Sequence, residues 1–296
     1  MERKFESLTI FEFQEKFPDE DSCLAYLAAK KWEKGYTCIK CGNTKYCKGD
    51  SPYSRQCTKC HYIASATSGT LFHKVKFSLL KAFYIVYYVS TNKKGISSTE
   101  LSRKLGLRQK TCWLFKHKVM VAMKSRGKSL MDGMVEVDES VIGGQEEGVV
   151  GRKNSKKKLV VFAIERKGKG CSRFYGKVIS KASSKQLGEF MKNTIDKQAV
   201  IKTDKWTGYT PLTNHFQNLT QIRSGKKGEN FAELHRAIMG FKGWLRGIHH
   251  HASHLQAYID EYTYRFNRNF MTKGIFDNLL ERMITCPPKT YKMIIS

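Results

Sequence analysis

The sequence predicts an α/β protein in which a cysteine-rich ribbon and a helix-turn-helix-like region precede a larger domain built on a mixed sheet. Three observations predict this class. Two Cys-x-x-Cys pairs lie 15 residues apart in a turn-rich stretch. Apolar residues then follow a helical period over about 74–128, and from Met134 onward strand-like runs alternate with helical ones.

These changes of pattern divide the 296 residues into five segments. Hydrophobic residues make up 41% of the chain, which is enough for packed cores. The predicted segments are an N-terminal helical segment (1–31), the ribbon (32–73), the helix-turn-helix-like region (74–130), the mixed-sheet domain (131–275) and a C-terminal tail (276–296).

The charge of the chain indicates a polyanionic partner. Lysine and arginine number 53 against 26 acidic residues, a formal net charge of +27. Each neutralised phosphate releases counterions and strengthens binding to nucleic acid. An anionic membrane surface would give the same charge signal. However, no apolar run approaches the roughly 20 residues of a spanning helix, and the N-terminus lacks a signal-peptide core. We therefore expect a cytoplasmic protein that acts on nucleic acid.

The two Cys-x-x-Cys pairs predict a structural zinc site. Four thiolates presented by two knuckles suit tetrahedral zinc and leave no position for a substrate. Gly42 follows the first pair, where such a turn often needs a positive φ. A redox dithiol would need only one pair, and Cys47 and His61 fit the spacing less well. The predicted ligands are Cys38, Cys41, Cys57 and Cys60.

Residues 96–119 have the pattern of a helix-turn-helix. Ser98 or Thr99 can cap the first helix, Gly106 makes the turn, and a second helix covers 109–119. The alternative is a plain helical hairpin. The side chains expected to be available to a DNA groove are Lys110, Thr111, Lys116 and Lys118.

A strand that carries carboxylates begins at Met134. Its period of two places Glu136, Asp138 and Ser140 on one face and Glu139 on the other. The elements expected after it are strands over 158–165 and 172–179, a helix over 183–195, a strand over 199–204 and a long helix over 231–247.

Three strands, a helix, a strand and further helices are the order of an RNase H-like fold. The ends of the first and fourth strands are neighbours in that fold, so Asp138 and Asp204 can share a metal ion. Paired carboxylates suit Mg²⁺, which uses one or two protein oxygens together with water and phosphate. The alternative is that each aspartate caps a turn or pairs with a lysine.

From about Phe11 to Arg268 the chain resembles the ISXO-like group of bacterial insertion-sequence transposases, which join a zinc ribbon to a DDE-type catalytic domain. The motifs are specific as a set and not singly. Besides the cysteine ribbon they are VDESVIGG (137–144), TDKWTGY (203–209), LHRAIMGFKGWLRG (234–247) and YIDEYTYRFNR (258–268).

The resemblance implies roles for residues of the acidic domain. Asp138 and Asp204 would be the first two catalytic acids, and Lys242 a lysine on the last catalytic helix. The third position of the family lies seven residues before that lysine, at His235, and Arg246 lies on the same helix face. Imidazole suits Mn²⁺ better than Mg²⁺. The alternative is that His235 only packs in a helix interface.

We therefore expect a metal-dependent DNA transposase, a polynucleotidyl transferase that binds the terminal inverted repeats of an element and cuts and joins DNA. Its expected partners are double-stranded element ends and target DNA, with no membrane, and its cofactors are structural zinc and catalytic Mg²⁺ or Mn²⁺. Holding two ends implies a homodimer or higher oligomer at the bacterial nucleoid. The alternatives are a zinc-ribbon DNA-binding regulator without catalysis and an RNase H-like structure-specific nuclease.

Overall fold

The computed structural model describes residues 7–127, 129–143, 157–168, 170–249 and 253–295. Contacts divide the chain into two compact units. One comprises Met1–Met123 together with Phe270–Ser296, and the other comprises Lys124–Asn269. Within the described ranges, no helix combines the length and the apolar character that crossing a membrane requires.

The elements are numbered here in chain order. The helices are α1 (Ile10–Lys16), α2 (Glu20–Lys31), α3 (Leu79–Thr91), α4 (Ser98–Leu105), α5 (Gln109–Met123), α6 (Ser184–Thr194), α7 (Ala232–Ile248), α8 (Leu255–Phe266), α9 (Gly274–Thr285) and α10 (Tyr291–Ile295). The strands are β1 (Tyr46–Lys48), β2 (Arg55–Cys57), β3 (Ile63–Ala64), β4 (Met134–Ile142), β5 (Lys158–Lys167), β6 (Gly170–Ile179), β7 (Val200–Thr203) and β8 (Leu219–Gln221). Two 3-10 helices cover Thr207–Asn214 and Lys226–Phe231.

The first unit has an aromatic core to which the end of the chain contributes. Phe13 of α1 is fully buried, and its ring centroid lies 5.6 Å from that of Phe276 on α9. Most of α9 falls in residues 276–296, for which the sequence predicts a tail. Its buried side chains are Phe276, Leu279, Leu280, Met283 and Ile284. The last segment therefore supplies core side chains to this unit.

Helices α4 and α5 form the predicted helix-turn-helix-like pair with a different first cap. The Oγ of Ser97, and not of Ser98 or Thr99, accepts from the Glu100 N–H at 3.0 Å. Gly106 ends α4 in the left-handed region at φ 59°, where glycine has no steric penalty. Helix α5 continues to Met123, four residues beyond the predicted end.

The structure contradicts the assignment of Lys116 to a DNA groove. This side chain is only 3% exposed, and its Nζ donates to the carbonyl oxygen of Ile96 at 2.7 Å. Lys118 is half-buried, and burial lowers the pKa of its amine. Thr111 is half-buried, whereas Lys110 on the first turn of α5 is exposed. Among these candidates, only Lys110 combines a basic side chain with an exposed position, and its Nζ lies 5.5 Å from the ring centroid of Tyr291.

The second unit contains a five-stranded mixed sheet in the order β6-β5-β4-β7-β8. Strand β5 is antiparallel to β4 and β6, while β4, β7 and β8 are parallel. This confirms the predicted mixed α/β class and the order of the first four strands of the sheet. The three-residue strand β8 was not predicted, because so short a segment carries no readable period.

Helices cover both faces of this sheet. On one face Val135 and Val137 of β4 pack in a buried cluster with Leu187 and Met191 of α6. On the other face the Phe162 ring of β5 lies 5.8 Å from that of Phe241 on α7. Glu136, Asp138 and Ser140 of β4 share the face of Phe162, because directly paired residues of antiparallel strands point to the same side. The acidic face of β4 is therefore turned toward α7.

Candidate active site and metal centres

The four predicted cysteines come together beside the small sheet of β1, β2 and β3. Their sulfur atoms all lie within 4.8 Å of one another, with Cys38 Sγ 3.5 Å from Cys60 Sγ and Cys41 Sγ 3.5 Å from Cys57 Sγ. A tetrahedron with Zn–S bonds of about 2.3 Å has edges of about 3.8 Å. The donor set and its spacing therefore fit zinc.

The surroundings of Cys57 favour its thiolate, whereas burial and the other three thiols raise the pKa of Cys41 to about 12. Burial opposes ionisation of Cys57, but the backbone N–H groups of Cys60 and Lys59 and the amide of Asn43 outweigh it and lower its pKa to about 6. Gly42 has φ 72°, as the knuckle turn predicts. Cys47 is exposed, and its thiol lies 3.7 Å from the Gln56 carbonyl oxygen, apart from the cluster.

The two aspartates of the second unit meet where β7 ends alongside β4. Strands β4 and β7 are parallel neighbours, and their pairing ends at Val137 and Thr203. Asp138 and Asp204 directly follow these two paired residues. A carboxylate oxygen of each lies within 4.8 Å of the other, and one of Glu139 completes the cluster. Asp138 and Asp204 are half-buried, and Glu139 is buried. Three oxygen donors at this spacing fit a hard divalent cation.

Glu139 is a member of the cluster that the sequence pattern did not predict. Alternation along β4 places it on the opposite face from Asp138, beside Val137. Beyond Val137, however, β7 no longer lies alongside β4. A side chain from either face can therefore reach the open edge, and a long glutamate does so. The adjacency of Asp138 and Glu139 in one strand was the available signal.

His235 on α7 lies against the same cluster. Its Nε2 is 3.1 Å from Oδ2 of Asp138, and its side chain is 34% exposed. Gly228, at φ 74°, lies so close that a Cβ there would overlap the imidazole ring. The ring is therefore held by glycine on one side and Asp138 on the other. His235 therefore does not only pack in a helix interface, because it also contacts a carboxylate of the cluster. It is not one of the three residues whose oxygens form that cluster.

Lys242 lies two turns further along α7. Its Nζ donates to Oγ of Ser140 at 2.8 Å, two residues beyond Asp138 on β4. Burial, together with the charges of Arg246 and Lys157, lowers the pKa of Lys242. Arg246, one further turn along, is exposed. Two basic side chains, Lys242 and Arg246, therefore follow the acidic cluster toward the C-terminal end of α7.

The electrostatics of the acidic cluster favour a bound cation. Two unit charges 4.8 Å apart repel by about 3 kcal/mol at an effective dielectric near 20. Burial raises the pKa of Tyr209 well above its usual value, and the carboxylates of Glu139, Asp138 and Asp204 raise it further. Its phenol therefore stays neutral beside the cluster and adds no further negative charge.

Comparison with known proteins identifies one domain. Residues 130–267 match the family model of the ISXO2-like transposase domain, a range that lies within the second unit. Among solved structures, a crystal structure of a pre-cleavage Mos1 transpososome is 12% identical, with 67% of this chain and 77% of that chain covered and a TM-score of 0.22. A comparison with curated proteins gave no match.

Proposed function

We propose that this chain binds the ends of an insertion element and catalyses metal-dependent DNA strand cleavage and strand transfer, because its residues 130–267 match the model of the ISXO2-like transposase domain. The observation that carries this proposal is the group of three carboxylates at the point where β7 ends alongside β4, Asp138, Glu139 and Asp204. A DNA-binding regulator without catalysis would not need such a costly group of like charges.

The proposed cofactor of this site is Mg²⁺ or Mn²⁺. Divalent ions at such a site activate the attacking oxygen and stabilise the leaving oxygen during displacement at phosphorus. Asp138, Asp204 and Glu139 would hold one ion through their clustered oxygens. Asp138 and His235, which are in direct contact, would hold a second. Asp138 is then shared, which explains why His235 contacts it without joining the cluster.

Lys242 and Arg246 are proposed to contact DNA phosphates. Lys242 is held beside Asp138 through Ser140, and its charge lies near the position where a scissile phosphate would meet the acidic cluster. Arg246 is exposed one turn further along the same helix. These cations would position the phosphodiester and offset its negative charge near the carboxylates. Water would first release a 3′-hydroxyl at the element end. That hydroxyl would then attack a target phosphate and displace a target 3′-oxygen.

A strand-transfer assay tests this proposal. Labelled DNA that carries the sequences flanking the gene is incubated with a target plasmid and Mg²⁺ or Mn²⁺. The expected product is end DNA covalently joined to the plasmid. Cleaved ends without joined product would indicate a structure-specific nuclease instead. Tight binding with no cleavage in either metal would favour the DNA-binding regulator.

The identity of the residue at position 235 is expected to set the preferred metal. His235→Glu should lower the ratio of the Mn²⁺-supported to the Mg²⁺-supported cleavage rate by about tenfold, because a carboxylate suits Mg²⁺ better than imidazole does. Both rates are measured on the same end DNA. Glu233→Gln, on the same helix, is the control and should leave the ratio unchanged. An unchanged ratio in His235→Glu would exclude position 235 from the metal site.

The proposed DNA contacts of α5 give a second test. Lys110→Ala should weaken DNA binding several-fold and reduce the slope of affinity against salt by about one, because one phosphate contact is lost. Lys116→Met should leave both quantities unchanged, since Lys116 is buried and bonded to Ile96. Affinity is measured by fluorescence anisotropy over a salt series. Equal effects of the two substitutions would contradict the proposed contact.

Three further properties belong to the proposal. The four-cysteine site holds structural zinc, as its sulfur spacing supports. Double-stranded DNA is the partner, as the net charge of +27 supports. Holding two element ends during transfer requires a homodimer or a higher oligomer, and a DNA substrate implies a location at the bacterial nucleoid in the cytoplasm.

A further inference from the structure

A buried carboxylate on β4 has no role in the cluster described above. Glu136 is only 2% exposed and lies two residues before Asp138 in a strand whose adjacent residues, Val135 and Val137, are fully buried. A buried charge is costly unless it is paired and hydrogen-bonded. Its position therefore calls for a specific partner.

That partner is the beginning of α7. Oε2 of Glu136 accepts from the backbone N–H of Leu234 at 3.2 Å. Leu234 is the third residue of the helix, where N–H groups lack partners within the helix. Phe231, at the N-cap position, provides no side-chain cap. Glu136 therefore caps α7 from a neighbouring strand.

Three successive residues on one face of β4 each contact α7. Glu136 binds the Leu234 N–H, Asp138 contacts His235 and Ser140 accepts from Lys242. The four steps from residue 136 to residue 140 of the strand span about 13 Å, and the eight steps from residue 234 to residue 242 of the helix span about 12 Å. The strand and the helix therefore run alongside each other over the length of the site.

We propose that Glu136 is a positioning residue. Its hydrogen bond to the Leu234 N–H fixes α7 along the axis of β4 and thereby sets the positions of His235 and Lys242 relative to that strand. The cap is adjacent in sequence to His235, so loss of this bond would let the first turn of α7 shift relative to Asp138. This inference rests on the proposed function for its catalytic consequence, but the displacement of His235 is independent of catalysis.

A second contact of Glu136 offers a competing explanation. Its Oε1 lies 3.8 Å from a guanidinium nitrogen of Arg166, whose side chain is 43% exposed. If this ion pair were the function of Glu136, the position of His235 would depend on the charge of the side chain and not on its length. Two substitutions separate these properties. Glu136→Gln keeps the length and an acceptor oxygen but loses the charge, whereas Glu136→Asp keeps the charge but is one methylene shorter.

The experiment uses the full chain with histidine labelled selectively for NMR, and the His235 signal is assigned through His235→Gln. In the metal-free protein, Glu136→Asp should shift the His235 signal, whereas Glu136→Gln and Arg166→Gln should leave it unchanged. With metal and end DNA, cleavage by Glu136→Asp should fall by about tenfold to about a hundredfold, the effect of a small misplacement. Cleavage by Glu136→Gln should stay near wild type, and DNA affinity should not change in either.

An unchanged His235 signal in Glu136→Asp would overturn the proposal. It would equally be overturned if Glu136→Gln or Arg166→Gln shifted that signal as much as Glu136→Asp does, because charge would then be the decisive property. If Glu136→Gln did not fold, the His235 signal of Glu136→Asp would still decide. Absence of cleavage in the wild type would contradict the proposed function, while the NMR comparison would still report on the cap.

Discussion

Asp204→Asn is expected to lower DNA cleavage by about a thousandfold or more, because a metal-binding carboxylate contributes several kcal/mol to stabilising the transition state. DNA affinity should be retained. The melting temperature of the metal-free variant should not fall, because the substitution removes one of three carboxylates that repel one another. Mn²⁺ should raise the melting temperature of the wild type and not that of the variant, since binding to the native state stabilises it.

Asp196→Asn is the matched control for this prediction. Asp196 lies in the same unit, and its Oδ1 accepts from the backbone N–H of Gln198 at 2.9 Å. Asparagine keeps that acceptor oxygen, so cleavage and the Mn²⁺-dependent rise in melting temperature should both persist. Equal cleavage by Asp204→Asn and Asp196→Asn would show that the acidic cluster is not the reaction site.

The second large effect is expected at the four-cysteine site. Cys57→Ser should abolish zinc binding, because zinc in such a site needs all four thiolates. The effect on folding should be large, since zinc in such a site contributes of order 10 kcal/mol to folding. Zinc content, measured by atomic absorption, should fall from one ion per chain to near zero. Hydrogen exchange should become fast in β1, β2 and β3, which surround the site. Stabilisation by Mn²⁺ should persist, since it depends on the other unit.

Cys47→Ser provides the control for the zinc prediction. Cys47 lies on β1 within the same small sheet, but it is exposed and outside the sulfur cluster. Its replacement should leave zinc content and hydrogen exchange unchanged. Full zinc content in Cys57→Ser, or equal zinc loss in both variants, would contradict the four-cysteine assignment.

Much of the second unit could be predicted because its elements have clear periods. Apolar and polar residues of β4 alternate over 135–138, and α7 repeats apolar positions over 17 residues. The predicted strand order then places Asp138 beside Asp204, and the helical period places His235 and Lys242 on one face. Contacts through these four residues are all present in the structure.

What the sequence could not predict depends on contacts between distant elements. Glu139 joins the cluster only because β7 ends at Thr203 and leaves the edge of β4 open. Glu136 caps a helix almost a hundred residues later in the chain. Lys116 can be buried because its amine donates a hydrogen bond to a carbonyl oxygen 20 residues earlier in the chain. In each case the residue type alone gives no sign of its partner, since the tertiary environment determines burial.

The most direct test of the account is the metal dependence of cleavage by the wild-type protein on end-bearing DNA. The account predicts cleavage at the element end with Mg²⁺ or Mn²⁺, none in chelator, and none by Asp138→Asn under any of these conditions. Each product should carry a 3′-hydroxyl at the element end. Cleavage that persists in chelator, or that Asp138→Asn retains, would contradict the assignment of the acidic cluster as the metal-dependent active site.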